Sequence, residues 1–247
     1  MSKKSYIMIL SVILILSVLI TGINVVNISE VSYIKANTTS IEEMNVIIDC
    51  GHGGEDGGAV SSDGIVEKDI NLAIGLILEK FFLQGGFNVT MTRREDISLH
   101  DETAESLREK KVSDIHNRTD FCNSSDNNIL ISIHQNKFDD SKYYGTQVFY
   151  SKNNPQSRVL AESIRASVTG LLQNDNTRQC KEATNSIYLL HNAKIPAVIV
   201  ECGFLSNPQE TELLKSEMYQ REIAYAIYCG FLEFYYKSDL VQSQQKY

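Results

Sequence analysis

The stretch Asn45-Val46-Ile47-Ile48-Asp49-Cys50-Gly51-His52-Gly53-Gly54 decides the fold. Its first five residues read as a short buried strand, apolar between polar ends, and a glycine-rich turn follows at once. Downstream, Glu67 to Gln84 repeats apolar residues at Ile70, Ala73/Ile74, Ile77 and Phe81, a helical period. Gly85-Gly86 closes that helix, as glycine past a helix end commonly does. A strand, a turn and a helix in this order open an α/β domain.

The rest of the chain repeats the alternation. Phe87 to Thr92 reads as a strand, residues 93–112 as an exposed, charged excursion, and Val112 to Asn123 as a helix. Strands are expected at Asn128–His134 and Gly145–Ser151, with a helix from Pro155 to about Leu172, proline being favoured at the first helical position. Ile187–Leu190 and Ala197–Glu201 read as two further short buried strands. Pro208 starts a helix, and Met218 to Tyr235 makes a long apolar one. The expected architecture is a single α/β domain over residues 45–237, with a mixed, mainly parallel sheet flanked by helices and a polar tail at 238–247. No internal repeat is visible.

The N-terminus has a different character. Lys3 and Lys4 precede an uncharged apolar run from Tyr6 to Val26, 21 residues that as a helix reach across a bilayer. The flanking lysines favour the cytoplasmic side, which sends the chain after Asn27 outward. A retained signal anchor over residues 1–26 is the favoured reading. Against the alternative, a cleaved signal peptide, the run is long and its end matches a small-x-small cleavage site poorly. Residues 27–44 form a polar linker.

Net charge is −8, from 23 Lys+Arg against 31 Asp+Glu, and without residues 1–30 the balance is 21 against 30. An acidic domain argues against nucleic acid as a partner, because phosphates demand a basic face. Cys50, Cys122, Cys180, Cys202 and Cys229 are scattered, odd in number and without a Cys-x-x-Cys pair. They fit buried small hydrophobes better than a disulfide framework or a zinc knuckle.

Three strands end in polar residues: Asp49-Cys50-Gly51-His52, Ser132-Ile133-His134-Gln135-Asn136 and Val200-Glu201-Cys202-Gly203. Open parallel sheets bind ligands at the carboxyl ends of their strands, and Glu67 starts the helix after the glycine turn. Two histidines and two glutamates could therefore converge on one rim. Zinc hydrolysis uses such a set: His52, Glu67 and His134 as three ligands with a fourth position open, and Glu201 as general base. The competing reading is a group of satisfied structural polar residues. Phosphate binding by the glycine turn is a poorer alternative, because no Gly-Lys-Ser/Thr follows and Glu55-Asp56 would repel the anion.

Four segments in order carry a family resemblance. Asp49 to Ala59 resembles the opening motif of the zinc-dependent N-acetylmuramoyl-L-alanine amidases. Glu67-Lys68-Asp69-Ile70-Asn71-Leu72 resembles their second motif, Ser132 to Asn136 the third, and Pro196 to Asn207 the fourth. The resemblance covers about residues 45–236 and implies one Zn2+ on His52, Glu67 and His134, with Glu201 as the catalytic glutamate. It also implies a mixed, mainly parallel sheet between helices and peptidoglycan as substrate. The single N-terminal membrane segment, the lack of a wall-binding repeat and the run Arg108 to Arg118 are similar to the family's germination branch. That branch strips peptides from muramic acid in spore cortex, preparing muramic-δ-lactam formation. Action is then expected at the outer face of the cytoplasmic membrane around the forespore, with an accessory envelope protein as a possible partner. A catalytically silent peptidoglycan-binding or scaffold protein is the alternative from another class.

Departures from the family pattern are Gln135 and Lys137, where small residues are frequent, and His191, where Lys or Arg is usual. His191 divides evenly between substrate contact and packing. His100 and His116 read as surface residues; Arg93, Arg94 and Arg118 could meet peptide carboxylates but read better as helix-face or loop ion pairs, and Arg108 to Lys111 as a solvated face rather than a binding patch. Tyr143 and Tyr144 could line a sugar or peptide groove, with packing the favoured reading.

Overall fold

The computed structural model describes residues 44–244, with side chains through residue 238. The apolar run at 6–26 and its linker lie outside the described residues, among which no helix is long and apolar enough to cross a membrane. In chain order the elements are β1 (Asn45–Cys50), α1 (Glu67–Gln84), β2 (Asn88–Met91), α2 (Leu107–Cys122), β3 (Asn128–Asn136), β4 (Gln147–Tyr150), α3 (Pro155–Leu171), β5 (Lys181–Glu182), α4 (Tyr188–Asn192), β6 (Ala197–Phe204), α5 (Pro208–Lys215) and α6 (Glu217–Gln244). The strands form one sheet in the order β2-β1-β3-β6-β4-β5. All its described pairings are parallel except β4 against β6. The expected mixed, mainly parallel α/β sheet is what the chain builds.

The central strands β1, β3 and β6 are nearly continuous apolar runs because helices cover both faces. Alternation sends Ile47, Leu130 and Ile199 to one face, where they pack in a cluster with Cys122 of α2 and Leu189 and Leu190 of α4. The opposite face carries Ile48 and Cys50. There α1 comes so close that a Cβ on Gly75 would stand 2.3 Å from the Cys50 sulfur. α6 packs outside α1 and α3. Phe231 meets Phe82 and Phe87 edge-on at 4.8 and 5.3 Å between ring centroids. Each such ring, once buried, contributes roughly 2–3 kcal/mol of transfer free energy.

Three sequence expectations need correction. The buried stripe of α1 is Ile70, Ile74, Leu78 and Phe82, one position on from Ile77 and Phe81. Phe81 instead packs on the flank against Tyr225 and Tyr228, at 5.5 and 6.0 Å. α2 starts at Leu107, within the supposed excursion, because Ser106 and Glu109 form a reciprocal capping box. Ile187–Leu190 is not a strand; the short helix α4 occupies that position, since so brief an apolar run carries no period to tell the two apart. β5, an exposed two-residue edge strand, has no hydrophobic signal to betray it.

Candidate active site

The strand parity that builds the sheet also aims the chemistry. Asp49, Ser132, His134 and Glu201 share the parity of Ile47, Leu130 and Ile199, so they belong to the face covered by α2 and α4. His134 and Glu201 sit opposite each other in the β3–β6 register. The turn after β1 brings the third strand-end group. His52 takes a left-handed φ of 62°, between Gly51 and Gly53. A Cβ on Gly51 would stand 2.2 Å from His134 Nε2. At Gly58, with φ +70°, one would stand 2.5 Å from Glu67 Oε2. Glycine is required at both because side chains of the site lie against the backbone.

His52, Glu67 and His134 come together at this rim. Their ligand-capable atoms all lie within 4.8 Å of one another. Glu67 Oε1 stands 3.3 Å from His52 Nε2 and 2.9 Å from His134 Nδ1. It also accepts from the Gln135 backbone N–H at 3.0 Å, while Oε2 accepts from Ala59 N–H at 2.7 Å. Glu67 is 3 % exposed, and burial alone would raise its carboxyl. The two imidazoles outweigh that and hold it well below the usual carboxylate range. Burial likewise opposes charging of His52, but the Asp56 and Glu67 carboxylates push it up to about 9. Asp56 Oδ2 lies 2.7 Å from His52 Nδ1, which leaves Nε2 turned inward.

This donor set fits a zinc ion. Two imidazole nitrogens and one carboxylate oxygen are a known catalytic zinc set, and donors at about 2.1 Å in a tetrahedron lie roughly 3.4 Å apart. The 2.9 and 3.3 Å separations are of that size. The Asp56–His52 contact supplies the outer carboxylate that zinc-binding histidines commonly carry.

Glu201 is the unpaired member. Its Oε2 is buried and has no hydrogen-bond partner among the described residues. Burial pushes the carboxyl up to about 7, with His134 opposing and Glu67 adding to the rise. A carboxyl poised there can take and return a proton near neutrality. Beside it opens a cleft of about 400 Å³, walled by Gly51, His52 and His134 on one side and by Lys111, Ile115 and Tyr188 on the other.

Beneath the cleft lies a buried ion network that the sequence reading missed. Arg118 makes the expected helix-face ion pair, with Asp114 one turn earlier, but it is 2 % exposed and also reaches Asp49. Its guanidinium donates to Asp49 Oδ1 at 2.5 Å, to Asp114 Oδ2 at 2.6 Å and to the carbonyls of Cys50 and His52, both at 2.9 Å. Ser132 Oγ donates to the other Asp49 oxygen at 2.5 Å. Burial raises the Asp49 carboxyl, yet Arg118 and Ser132 bring it down to about 2. Arg93 is also buried, and it donates to main-chain carbonyls of Cys50, Gly51, Lys68 and Glu95 instead of forming a loop ion pair. Nor is Arg108 to Lys111 only a solvated face. Lys110 pairs with Glu55 at 2.9 Å and Lys111 with Asp56 at 2.8 Å, so α2 grips the glycine turn. The capping box at Ser106 was the available signal for placing these lysines on the first turns of a helix.

Other expectations resolve simply. His116 is exposed and lies against Tyr188, ring centroids 4.7 Å apart. All five cysteines are free, with Cys50, Cys122 and Cys202 buried and Cys180 and Cys229 half-buried. His191 keeps its Nδ1 buried without a hydrogen-bond partner among the described residues, whereas the cleft takes Ser186, Ile187, Tyr188 and Leu189 from that segment.

The fold, the four ordered motifs and this donor cluster define an amidase. The N-acetylmuramoyl-L-alanine amidase family profile matches residues 46–233, and the chain belongs to that family. It is 35% identical over 190 residues to the germination-specific N-acetylmuramoyl-L-alanine amidase of Bacillus subtilis (strain 168), covering 77% of this chain and 79% of that one. Among solved structures it is similar to the CwlD amidase of Clostridioides difficile, determined in complex with the GerS lipoprotein. That match has a TM-score of 0.74 and 41% identity, over 77% of this chain and 98% of that chain. The amidase AmiC2 of Nostoc punctiforme superposes with a TM-score of 0.63 at 27% identity, over 78% and 97% of the two chains.

Proposed function

We propose that the chain hydrolyses the amide between N-acetylmuramic acid and the L-alanine of the stem peptide in spore-cortex peptidoglycan, ahead of muramic-δ-lactam formation. The carrying observation is the buried, partnerless Glu201 oxygen beside a three-donor cluster. His52, Glu67 and His134 would hold one Zn2+. When bound by such a set, zinc activates a water and polarises the scissile carbonyl. Glu201 takes the proton of the attacking water on its carboxylate and returns it to the departing alanine nitrogen, a transfer suited to its raised pKa. Asp56, against His52 Nδ1, orients the imidazole so that Nε2 faces the cluster. Arg118 fixes the ends of β1 and the turn by holding the Cys50 and His52 carbonyls.

The germination role rests on likeness to the Bacillus subtilis and Clostridioides difficile amidases. The latter's capture with a lipoprotein supports an accessory envelope protein as partner here. Residues 1–26 would anchor the chain at the outer face of the cytoplasmic membrane. A silent wall-binding scaffold would have no use for a complete donor set with an unpaired acid, so the enzymatic reading is preferred. The test is digestion of cortex and vegetative peptidoglycan by the zinc-supplemented full chain, read by mass spectrometry. Free stem peptides and peptide-less glycan are expected, and none should appear with chelator. A Glu201→Gln protein that released them at the wild-type rate would overturn the mechanism.

A further inference from the structure

The rim of the sheet carries an aromatic shelf that the hydrolytic chemistry does not use. Beyond His134↔Glu201, the β3–β6 register continues to Asn136↔Phe204. Two or three residues at about 3.3 Å per residue put this pair some 7–10 Å from the donor cluster. Phe204 is buried beneath two rings of the following loop. Phe138 lies 5.2 Å and Tyr143 6.3 Å from it, and they meet each other edge-on at 5.0 Å. Phe138 and Tyr143 are nonetheless 44 % and 37 % exposed.

The loop holding them is pinned. Phe138 N–H donates to Ser206 Oγ at 3.1 Å, Tyr143 C=O accepts from Asn207 Nδ2 at 3.3 Å, and Tyr144 C=O accepts from Arg178 Nε at 2.7 Å. Cations border it. The Arg178 guanidinium stands 4.5 Å from the Phe204 centroid and 5.9 Å from that of Tyr143, and Lys142 Nζ lies 5.3 Å from the Tyr143 centroid. Two adjoining rings are thus held half in water on a loop fixed by hydrogen bonds, a small preformed apolar face.

We infer that Phe138 and Tyr143 form a shelf for the glycan strand next to the reacting sugar, an inference that rests on the amidase reading of the site. A polymer whose muramic residue sits at the zinc cluster must continue past the rim. The apolar C–H face of a hexose matches an aromatic ring, and Arg178 beside it matches the carboxylates of stem peptides on neighbouring sugars, Lys142 being paired with Asp140 at 2.7 Å. Area favours the glycan over a protein partner. The two rings offer on the order of 200 Å², whereas a stable protein interface takes about 800 Å² from each side.

The test compares the zinc-supplemented full chain with its Tyr143→Ala and Phe138→Ala variants on two substrates. One is polymeric, peptide-bearing glycan; the other is a single N-acetylmuramoyl peptide. The shelf predicts a KM for polymer raised about tenfold, with the polymer-to-monomer ratio of kcat/KM falling by the same factor. Tyr143→Phe keeps the ring and should restore the ratio. Peptide-free glycan strands should bind wild type and not Tyr143→Ala in a titration, a readout that needs no hydrolysis. An unchanged ratio overturns the shelf. So does equal loss on both substrates, or glycan binding retained while an envelope protein no longer associates. If wild type cleaves neither substrate yet binds the peptide-free glycan, the amidase reading fails and the shelf stands.

Discussion

Single atoms carry the chemistry of this chain. Glu201→Gln preserves shape while removing the proton carrier, so peptide release should fall about 10²–10⁴-fold with zinc content unchanged, measured by single-turnover assay and metal analysis. Asp56→Ala acts differently. It strips His52 of its orienting carboxylate, and zinc affinity should drop about 10–100-fold in a competition titration with a chelator. Gly58→Ala would place a methyl 2.5 Å from Glu67 Oε2 at a φ of +70°, so it should impair metal retention as well. Equal zinc affinity in wild type and Asp56→Ala would show that the glycine turn suffices to hold His52. Of these residues, His52, Glu67, His134 and Glu201 were legible because each follows a buried strand or opens a helix at a glycine turn. Asp56 was not, since a carboxylate in a loop declares its partner only once the loop is folded.

At the level of elements, α2 supports the site. Its lysines hold the outside of the glycine turn, and Arg118 reaches under it to β1. Arg118→Met would leave Asp49 buried at 1 % exposure without its counter-charge. Breaking a buried pair this way costs about 3–5 kcal/mol, readable as a lowered denaturation midpoint in urea. Adding Asp49→Asn should recover part of that loss, because the more deeply buried charge is then gone and only Asp114 is left without its partner. The same pair sets an acid limit. Asp49 ionises at about 2 in the fold against an ordinary 3.8, so its stabilising contribution is complete above pH 4 and declines as pH falls through that interval. A stability profile in which Asp49→Asn matches wild type at pH 6 as well as at pH 2.5 would contradict this. The sequence showed α2 only from Val112, five residues late, because a helix dominated by charged residues has little hydrophobic period. Its true start was written in Ser106 and Glu109.

The whole molecule joins the His52–Glu67–His134 cluster to the fold. The three donors come from the turn after β1, the start of α1 and the end of β3, so an ion held there would tie three separate segments together. An ion that binds only the folded chain stabilises it by mass action, about 2.7 kcal/mol at a hundredfold excess over Kd. Chelation should therefore lower Tm, and resupplied zinc should restore it; a Tm indifferent to metal would argue that the cluster holds none. The acidic balance of the chain gives no attraction to a carboxylate-bearing wall, which leaves recognition to the cleft and the rim.

Hydrophobic period, glycine placement and strand-end polarity determined most of the architecture from sequence: a mainly parallel sheet, its flanking helices and four residues bound for one rim. These are local signals, and β1, α1 and α3 obey them. Tertiary structure alone decided what depends on distant segments meeting. It turned Ile187–Leu190 into a helix, buried Arg118 under the turn as the partner of Asp49, and brought Lys111 onto Asp56. It also left Phe138 and Tyr143 at the rim over Phe204. A charge or an aromatic ring has the same letter whether it faces water or a partner, and only the folded chain supplies the partner.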